Sequence, residues 1–304
     1  MRILVLGSTG YLGAHVAARL RARPGVRLFT GGREAGAPVR ADLAADSPAR
    51  LAQSIGAVAP DAVVNCAGAV GGDPAVLHAV NARGPGALCD ALRQAAPRAR
   101  LVHLGSAAEY GPGEPGTLAA EPDPARPASA YGESKWAGTV AVGRSALDAV
   151  VLRVGNPVGP GAPDAGLPGR LAALLRAAGS DPGAVIRLGD LSAYRDFVDV
   201  RDVAAAAEAA ATAPGPLPPV LNVGGGGAVP VRELVHRLAR IAGFRGRIEE
   251  DGGASARSGE VSWQCSDISA AREALGWRPV HGLEDSLAAL WAAAGLRDPV
   301  GGRP

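Results

Sequence analysis

The chain has 304 residues, 47% of them apolar and 20% charged, and 31 basic against 29 acidic side chains leave a net charge of +2. That composition suits a soluble protein with a full core, and the interspersed charges argue against a nucleic-acid face or a polybasic membrane patch. No apolar run reaches the ~18 residues of a membrane span. The chain runs from its first residues straight into a strand-like stretch, with no separate signal peptide expected. Three scattered cysteines, Cys66, Cys89 and Cys265, fit neither a disulfide framework nor a zinc cluster. The five histidines lack ligand spacing. A reduced, cytoplasmic protein without a metal is therefore expected.

Taken in order, the first half alternates short apolar strands with helical segments, the pattern of a parallel sheet with crossover helices. Strands are expected at 3–6, 26–30, 62–65, 100–104 and 149–154. Helices are expected at 11–22, along a long stretch containing Leu77, Val80, Leu88 and Leu92, and at 131–147. The stretch 111–126 is rich in proline and glycine and reads as an irregular loop. Beyond residue 156 the rhythm changes, with helices at 170–178, 204–213, 231–242 and 283–294. Strands near 196–200 and 220–223 are expected to return to the main sheet, and the tail 295–304 is expected to be loose. The division is a dinucleotide-binding domain over 1–160 and a mainly substrate-binding region over 161–304.

Gly7-Ser8-Thr9-Gly10-Tyr11-Leu12-Gly13 lies between the first strand and the first helix. Glycines there permit a tight turn and close approach of a pyrophosphate, and the helix N-terminus supplies unpaired N–H groups. With 43 glycines in the chain the motif alone is weak; its place at the first strand–helix junction gives it weight. The second strand ends in Gly31-Gly32-Arg33, without the carboxylate that binds the adenosine ribose hydroxyls of NAD. An arginine there suits a 2′-phosphate, so NADP is favoured, as NADPH over NADH.

Tyr131-Gly132-Glu133-Ser134-Lys135 contains the only lysine of the chain. On a helix, positions four apart share a face, and an ammonium beside a phenol favours the phenolate. That spacing suits a general acid/base pair.

With the glycine turn and Tyr-x-x-x-Lys in this order, the chain resembles the extended short-chain dehydrogenase/reductases, within them the nucleotide-sugar epimerase/dehydratase/reductase group. Asp42-Leu43 resembles the pair that touches adenine in that family. Cys66-Ala67-Gly68 and Asn81 resemble segments flanking the cofactor. Counting back from Tyr110-Gly111 puts the active-site hydroxyl on Ser106. Asn156 in Arg153-Val154-Gly155-Asn156-Pro157-Val158-Gly159-Pro160 looks like the sugar-nucleotide asparagine. Arg195 in Arg195-Asp196-Phe197-Val198-Asp199-Val200 looks like the pyrophosphate arginine, and Leu275-Gly276-Trp277-Arg278-Pro279 matches the family's C-terminal motif. All four asparagines (65, 81, 156 and 222) fall within matching segments. Glu109 holds a position usually apolar in the family and reads either as a substrate contact or as an exposed side chain.

The resemblance implies a Rossmann-type α/β fold, a doubly wound parallel sheet with a smaller mixed C-terminal substrate-binding region, and a homodimer through the long helix and the Tyr131 helix. It implies hydride chemistry at a sugar carbon, with Ser106, Tyr131 and Lys135 catalytic and Tyr131 and Lys135 also at the cofactor. Ser106, Glu109, Asn156 and Arg195 are expected at the substrate. A 4,6-dehydratase of the family carries Asp-Glu directly after the hydroxyl residue; here Ala107 and Ala108 stand there. The segments 190–197 and 105–111 most resemble those of 4-keto-6-deoxyhexose reductases such as GDP-4-keto-6-deoxymannose reductase, and that resemblance implies NADPH-dependent reduction of a nucleotide-linked 4-keto-6-deoxyhexose. The alternatives are a 4-epimerase with bound NAD, a ketoreductase of polyketides or other secondary metabolites, and a non-catalytic dinucleotide sensor.

Overall fold

Strand residues that are apolar at every position need cover on both faces, and the first strand finds it. In the computed structural model, which describes residues 1–252 and 261–295, Ile3, Leu4, Val5 and Leu6 are all buried. Of the tail expected to be loose, 296–304 lies outside the described residues. The first half runs β1 Arg2–Leu6, α1 Tyr11–Ala22, β2 Arg27–Gly32, β3 Val39–Arg40, α2 Pro48–Val58, β4 Ala62–Asn65, α3 Pro74–His78, a π-helical turn Ala79–Arg83, α4 Gly84–Ala95, β5 Arg100–Ser106, a 3-10 turn Ala107–Glu109, α5 Ala130–Gly143 and β6 Ala149–Val154. The second half runs β7 Asn156–Val158, α6 Leu167–Ala178, β8 Val185–Leu188, β9 Tyr194–Asp199, α7 Val200–Thr212, β10 Val220–Val223, β11 Ala228–Pro230, α8 Val231–Ile241, β12 Arg247–Glu250, α9 Ser269–Leu275 and α10 Leu283–Ala294.

Seven parallel strands form the main sheet in the order β10-β6-β5-β4-β1-β2-β3. Alternate side chains of β1 serve opposite cores. Ile3 and Val5 pack with α1 and α7 on one face, and Leu4 and Leu6 pack with Leu51, Ile55, Leu88 and Leu92 of α2 and α4 on the other. The strand order reverses between β1 and β4, and such a switch point opens a crevice at the carboxyl ends of the strands. A third core gathers α6, α8, α10 and β8 around Leu171, Leu234, Leu238 and Leu287.

Three expectations about elements change. β10 lies in the main sheet beside β6, but the strand at 194–199 does not join it: β9 pairs with β7 and β11 in a separate three-stranded sheet. The chain leaves the main sheet at Gly155, where a Cβ would stand 2.8 Å from the Asp196 carbonyl oxygen, and the next residues are captured by β9. The long helix after β4 is interrupted by the π turn. Finally, α2 forms where no element is expected from the sequence. Ser47 caps it by accepting from the Arg50 N–H, Pro48 opens it, and Leu51, Ile55 and Val58 form its buried face.

Candidate active site

The glycine turn sits at the crevice. Gly7 has φ +74°, which favours glycine, and a Cβ on it would stand 2.7 Å from the Ala67 N atom at the end of β4. A Cβ on Gly13 would collide with the Gly7 carbonyl oxygen. The N-terminus of α1 begins at Gly10 with no side-chain cap and no acidic residue in its first turn. These N–H groups and the helix dipole are what a dinucleotide pyrophosphate requires. Ser8 and Thr9 lie in this turn, and Leu12 packs into the core beneath it. Tyr11 points toward the second sheet: its hydroxyl donates to the Gly159 carbonyl at 3.4 Å and its ring meets His15 edge-on.

Arg33 follows β2 as an exposed side chain 3.7 Å from the Glu34 carboxylate. Asp42 follows β3 and accepts from the Ala44 N–H at 2.9 Å. Leu43 is buried, its Cβ 3.0 Å from where a Gly84 Cβ would lie. Cys66, Ala67 and Gly68 follow β4, so they line the same crevice as the glycine turn. Burial pushes the Cys66 thiol up to about 12, with Lys135 pulling the other way.

Asn81 lies beside the 66–68 segment, its Oδ1 3.4 Å from where a Cβ on Gly68 would stand. It is buried in the π turn, and its amide is spent on protein: Oδ1 accepts from the Ala69 N–H at 2.9 Å, while Nδ2 donates to the Ala69 carbonyl at 2.8 Å and to Ser134 Oγ at 3.0 Å. Ser134 Oγ in turn donates to the Tyr131 carbonyl at 2.8 Å. Asn81 thus ties the loop after β4 to the helix that carries Tyr131 and Lys135. π turns recur at functional sites.

That helix, α5, starts from Ser129, whose hydroxyl accepts from the Gly132 N–H at 3.2 Å. It packs on β5 and on the 3-10 turn behind Ser106. Glycine allows the close fit at both ends: a Cβ on Gly132 would stand 2.6 Å from the Ala108 carbonyl oxygen, and one on Gly138 would collide with the Asn81 carbonyl oxygen. Lys135 is buried, donates from Nζ to the Leu104 carbonyl and lies 4.0 Å from a Cβ placed on Gly68. Its charge also reaches His103, which burial first and Lys135 second hold well below its ordinary pKa. His103 Nδ1 faces Asn65 Nδ2 at 3.1 Å. Ser106 ends β5 and is 8% exposed, and its Oγ accepts from the Ala108 N–H at 3.2 Å. That bond uses an oxygen lone pair and leaves the hydroxyl proton to donate.

Glu109 is neither a substrate contact nor exposed. It is 0% exposed, its Oε1 accepts from the Ser106 N–H at 2.8 Å, and its Oε2 accepts from Arg153 Nε at 2.9 Å. The carboxylate turns inward because Arg153, buried on β6, offers a charge partner and the Ser106 N–H a donor.

Asn156 and Arg195 lie on neighbouring strands of the second sheet, β7 and β9. Arg195 is 8% exposed and donates from Nη1 to the Tyr194 carbonyl at 2.8 Å. Among the described residues no carboxylate stands within ion-pair distance of it. Burial pulls its pKa down, against the pull of Asp190. A buried cation of this kind favours an anionic ligand. Asn156 Nδ2 donates to Gln264 Oε1 at 2.9 Å. Gln264 was missed in the sequence, where Trp263-Gln264-Cys265 matches no motif. It reaches the site because 262–266 runs alongside Tyr194 and bridges to 113–119. No group of three or more His, Cys, Asp or Glu among the described residues could hold a metal ion, and no helix among them is long and apolar enough to cross a membrane.

Residues 3–224 match the model of the NAD dependent epimerase/dehydratase family. The chain is 39% identical to the dTDP-6-deoxy-L-talose 4-dehydrogenase (NAD(P)(+)) of Kitasatospora kifunensis, over 96% of this chain and 95% of that one. It is similar in structure to RMD from Pseudomonas aeruginosa, complexed with NADPH, with TM-score 0.81, 26% identity, and 98% and 99% of the two chains covered. The UDP-glucose 4-epimerase of Thermus thermophilus, complexed with NAD, superposes with TM-score 0.83, 26% identity, and 98% and 100% covered. The chain belongs to the NAD-dependent epimerase/dehydratase family, and it is an oxidoreductase-type enzyme of that family built to work with a nicotinamide dinucleotide.

Proposed function

We propose that the protein reduces the 4-keto group of a nucleotide-linked 4-keto-6-deoxyhexose, with NADPH as the hydride source. The observation that carries this reading is the chemistry around Ser106. Ser106 ends β5, and α5, which carries Tyr131 and Lys135, packs on that strand and on the turn that follows it. The two residues after Ser106 are alanines, and the following carboxylate, Glu109, is locked away on Arg153. Proton delivery to a carbonyl oxygen needs only a hydroxyl, a phenol and an ammonium, whereas elimination of water needs further acid/base groups. The curated relative named a 6-deoxy-L-talose 4-dehydrogenase supports the same carbon, since oxidation of that hydroxyl and reduction of the ketone are one reaction in two directions.

Bound NADPH would supply the hydride; the protein orients the substrate and manages the proton. The turn from Gly7 to Gly13 and the open end of α1 would hold its pyrophosphate, Arg33 its 2′-phosphate, and Lys135 the ribose hydroxyls. Ser106 donates a hydrogen bond to the substrate carbonyl oxygen, and Tyr131 gives its proton to that oxygen as it becomes an alkoxide. Arg195 grips the diphosphate of the substrate in bidentate fashion, and Asn156, steadied by Gln264, contacts the sugar. A homodimer through α4 and α5 belongs to the same reading.

The test is NADPH oxidation with a dTDP-4-keto-6-deoxyhexose, a GDP-linked counterpart and an aromatic polyketone, each repeated with NADH. Turnover of a nucleotide sugar with NADPH preferred is expected. Turnover of the polyketone alone would overturn the substrate, and equal kcat/KM with NADH would overturn the cofactor preference.

A further inference from the structure

The buried pair Glu109–Arg153 does more than fill the core beneath the site. We propose that Glu109, held by Arg153, is the positioning residue for Ser106; this rests on the reading of Ser106 as the hydroxyl that polarises the substrate carbonyl. The two side chains are 0% and 3% exposed and join at 2.9 Å. The second oxygen of Glu109 accepts the Ser106 N–H at 2.8 Å, and Ser106 Oγ accepts from Ala108 N–H, so the two residues close a reciprocal capping box over the turn at 107–109. That box fixes both the backbone of Ser106 and the direction of its hydroxyl lone pair. The hydroxyl proton is left to face the substrate.

Arg153 is held in its turn. Its guanidinium lies 4.4 Å from the Tyr110 ring centroid and 5.4 Å from that of Trp136, the residue after Lys135. The Tyr110 hydroxyl donates to Asn222 Oδ1 at 2.8 Å on β10. One arrangement therefore connects the Ser106 end of β5, the Lys135 turn of α5, and strands β6 and β10.

Stability does not account for this pair. Burying two charges costs about as much as their attraction returns, and well-packed apolar residues usually replace such a pair at no loss. Among the described residues, Arg153 Nη1 is buried without a hydrogen-bond acceptor in reach, and the guanidinium faces the Tyr110 ring instead, which adds to that cost. The two cores on either face of the main sheet are apolar. What the pair does and an apolar pair cannot do is accept the Ser106 N–H.

The test is a mutant cycle. Glu109→Leu with Arg153→Met removes both charges and the acceptor. Glu109→Gln with Arg153→Met removes the charges and keeps an oxygen for the Ser106 N–H. Folding is checked by Tm and cofactor binding by NADPH titration. The first double variant should fold, bind NADPH normally and lose kcat about 10- to 100-fold, the scale of a misplaced catalytic group, with KM nearly unchanged. The second should recover to within a few-fold of the parent. In a Ser106→Ala background the first double should cause no further loss of kcat, because it acts through the missing hydroxyl.

Full kcat in the first double variant, or an equal further loss in the Ser106→Ala background, would overturn the proposal. If the first double fails to fold, the second decides: a folded protein with kcat down more than about 10-fold is the contrary result. Parental activity in Ser106→Ala alone would sink the reading of Ser106 itself, a failure distinct from the other two.

Discussion

Two cations organise the site, and each is defined by what surrounds it. Lys135 is buried against the Leu104 carbonyl, and the nearby imidazole, His103, is held neutral by burial and by Lys135 itself. Arg195 is buried and, among the described residues, has one side-chain hydrogen bond, to the Tyr194 carbonyl. A phosphate oxygen pair would replace the hydration that Arg195 lacks, and a charge-assisted bond of this kind contributes ~1.5–3 kcal/mol. Arg195→Met is therefore expected to raise KM for the sugar nucleotide about 10- to 100-fold and to leave the Kd for NADPH unchanged. Initial-rate kinetics beside a fluorescence titration reads both, and equal losses would place Arg195 at the cofactor instead. Tyr131 and Lys135 could be picked out from a scarce residue type at a helical spacing, whereas Ser106 and Arg195 were marked only by the resemblance of their segments to the family. Gln264 and the Glu109–Arg153 pair could not be picked out. Their partners, Asn156 and Arg153, lie 108 and 44 residues away, and only the fold brings them together. Glu109 did stand out as a charge at an apolar position, but its direction depended on β6.

At the scale of elements, the site depends on two helices approaching closer than a side chain allows. Gly138 of α5 faces the Asn81 carbonyl in the π turn, and a methyl group there would collide with it. Gly138→Ala is expected to cost ~1–3 kcal/mol through overpacking and to lower kcat, since Asn81 also anchors Ser134. Gly143→Ala, at the exposed end of the same helix with nothing within 4 Å, is the control; it should be neutral or slightly stabilising. Thermal melts of the two variants check the difference, and equal Tm values would remove the close approach from the explanation. The helices expected at 11–22 and 283–294 form as α1 and α10. The π turn was not legible in the sequence, because it depends on the contacts of Asn81 rather than on any local preference. The short strands β7, β8, β11 and β12 have three or four residues each, and their pairings are set by distant partners.

At the scale of the whole molecule, the main sheet and the second sheet meet at Asp196. Its buried carboxylate accepts from the N–H groups of Gly225 at 2.6 Å, Gly226 at 3.2 Å and Ser266 at 3.2 Å, so it joins β9 to the loop after β10 and to the segment beside Gln264. Burial outweighs these bonds and raises its pKa to about 6. A carboxyl whose pKa is raised on folding binds protons more tightly in the folded state. Its contribution is therefore fully present below the ordinary carboxylate pKa and is lost as pH rises through about 6. Relative to Asp196→Asn, the parent protein should gain stability as pH falls from about 6 to about 4, by no more than ~3 kcal/mol. Urea denaturation at several pH values measures it, and a parallel pH dependence in the two proteins would contradict the assignment.

The central claim, that Tyr131 is the acid of a carbonyl reduction, is tested most directly by Tyr131→Phe. Loss of the hydroxyl should lower kcat with the sugar nucleotide by ~10²- to 10⁴-fold, while the Kd for NADPH stays within about twofold because the ring and Lys135 remain. A variant that turns over at the parental rate would contradict it.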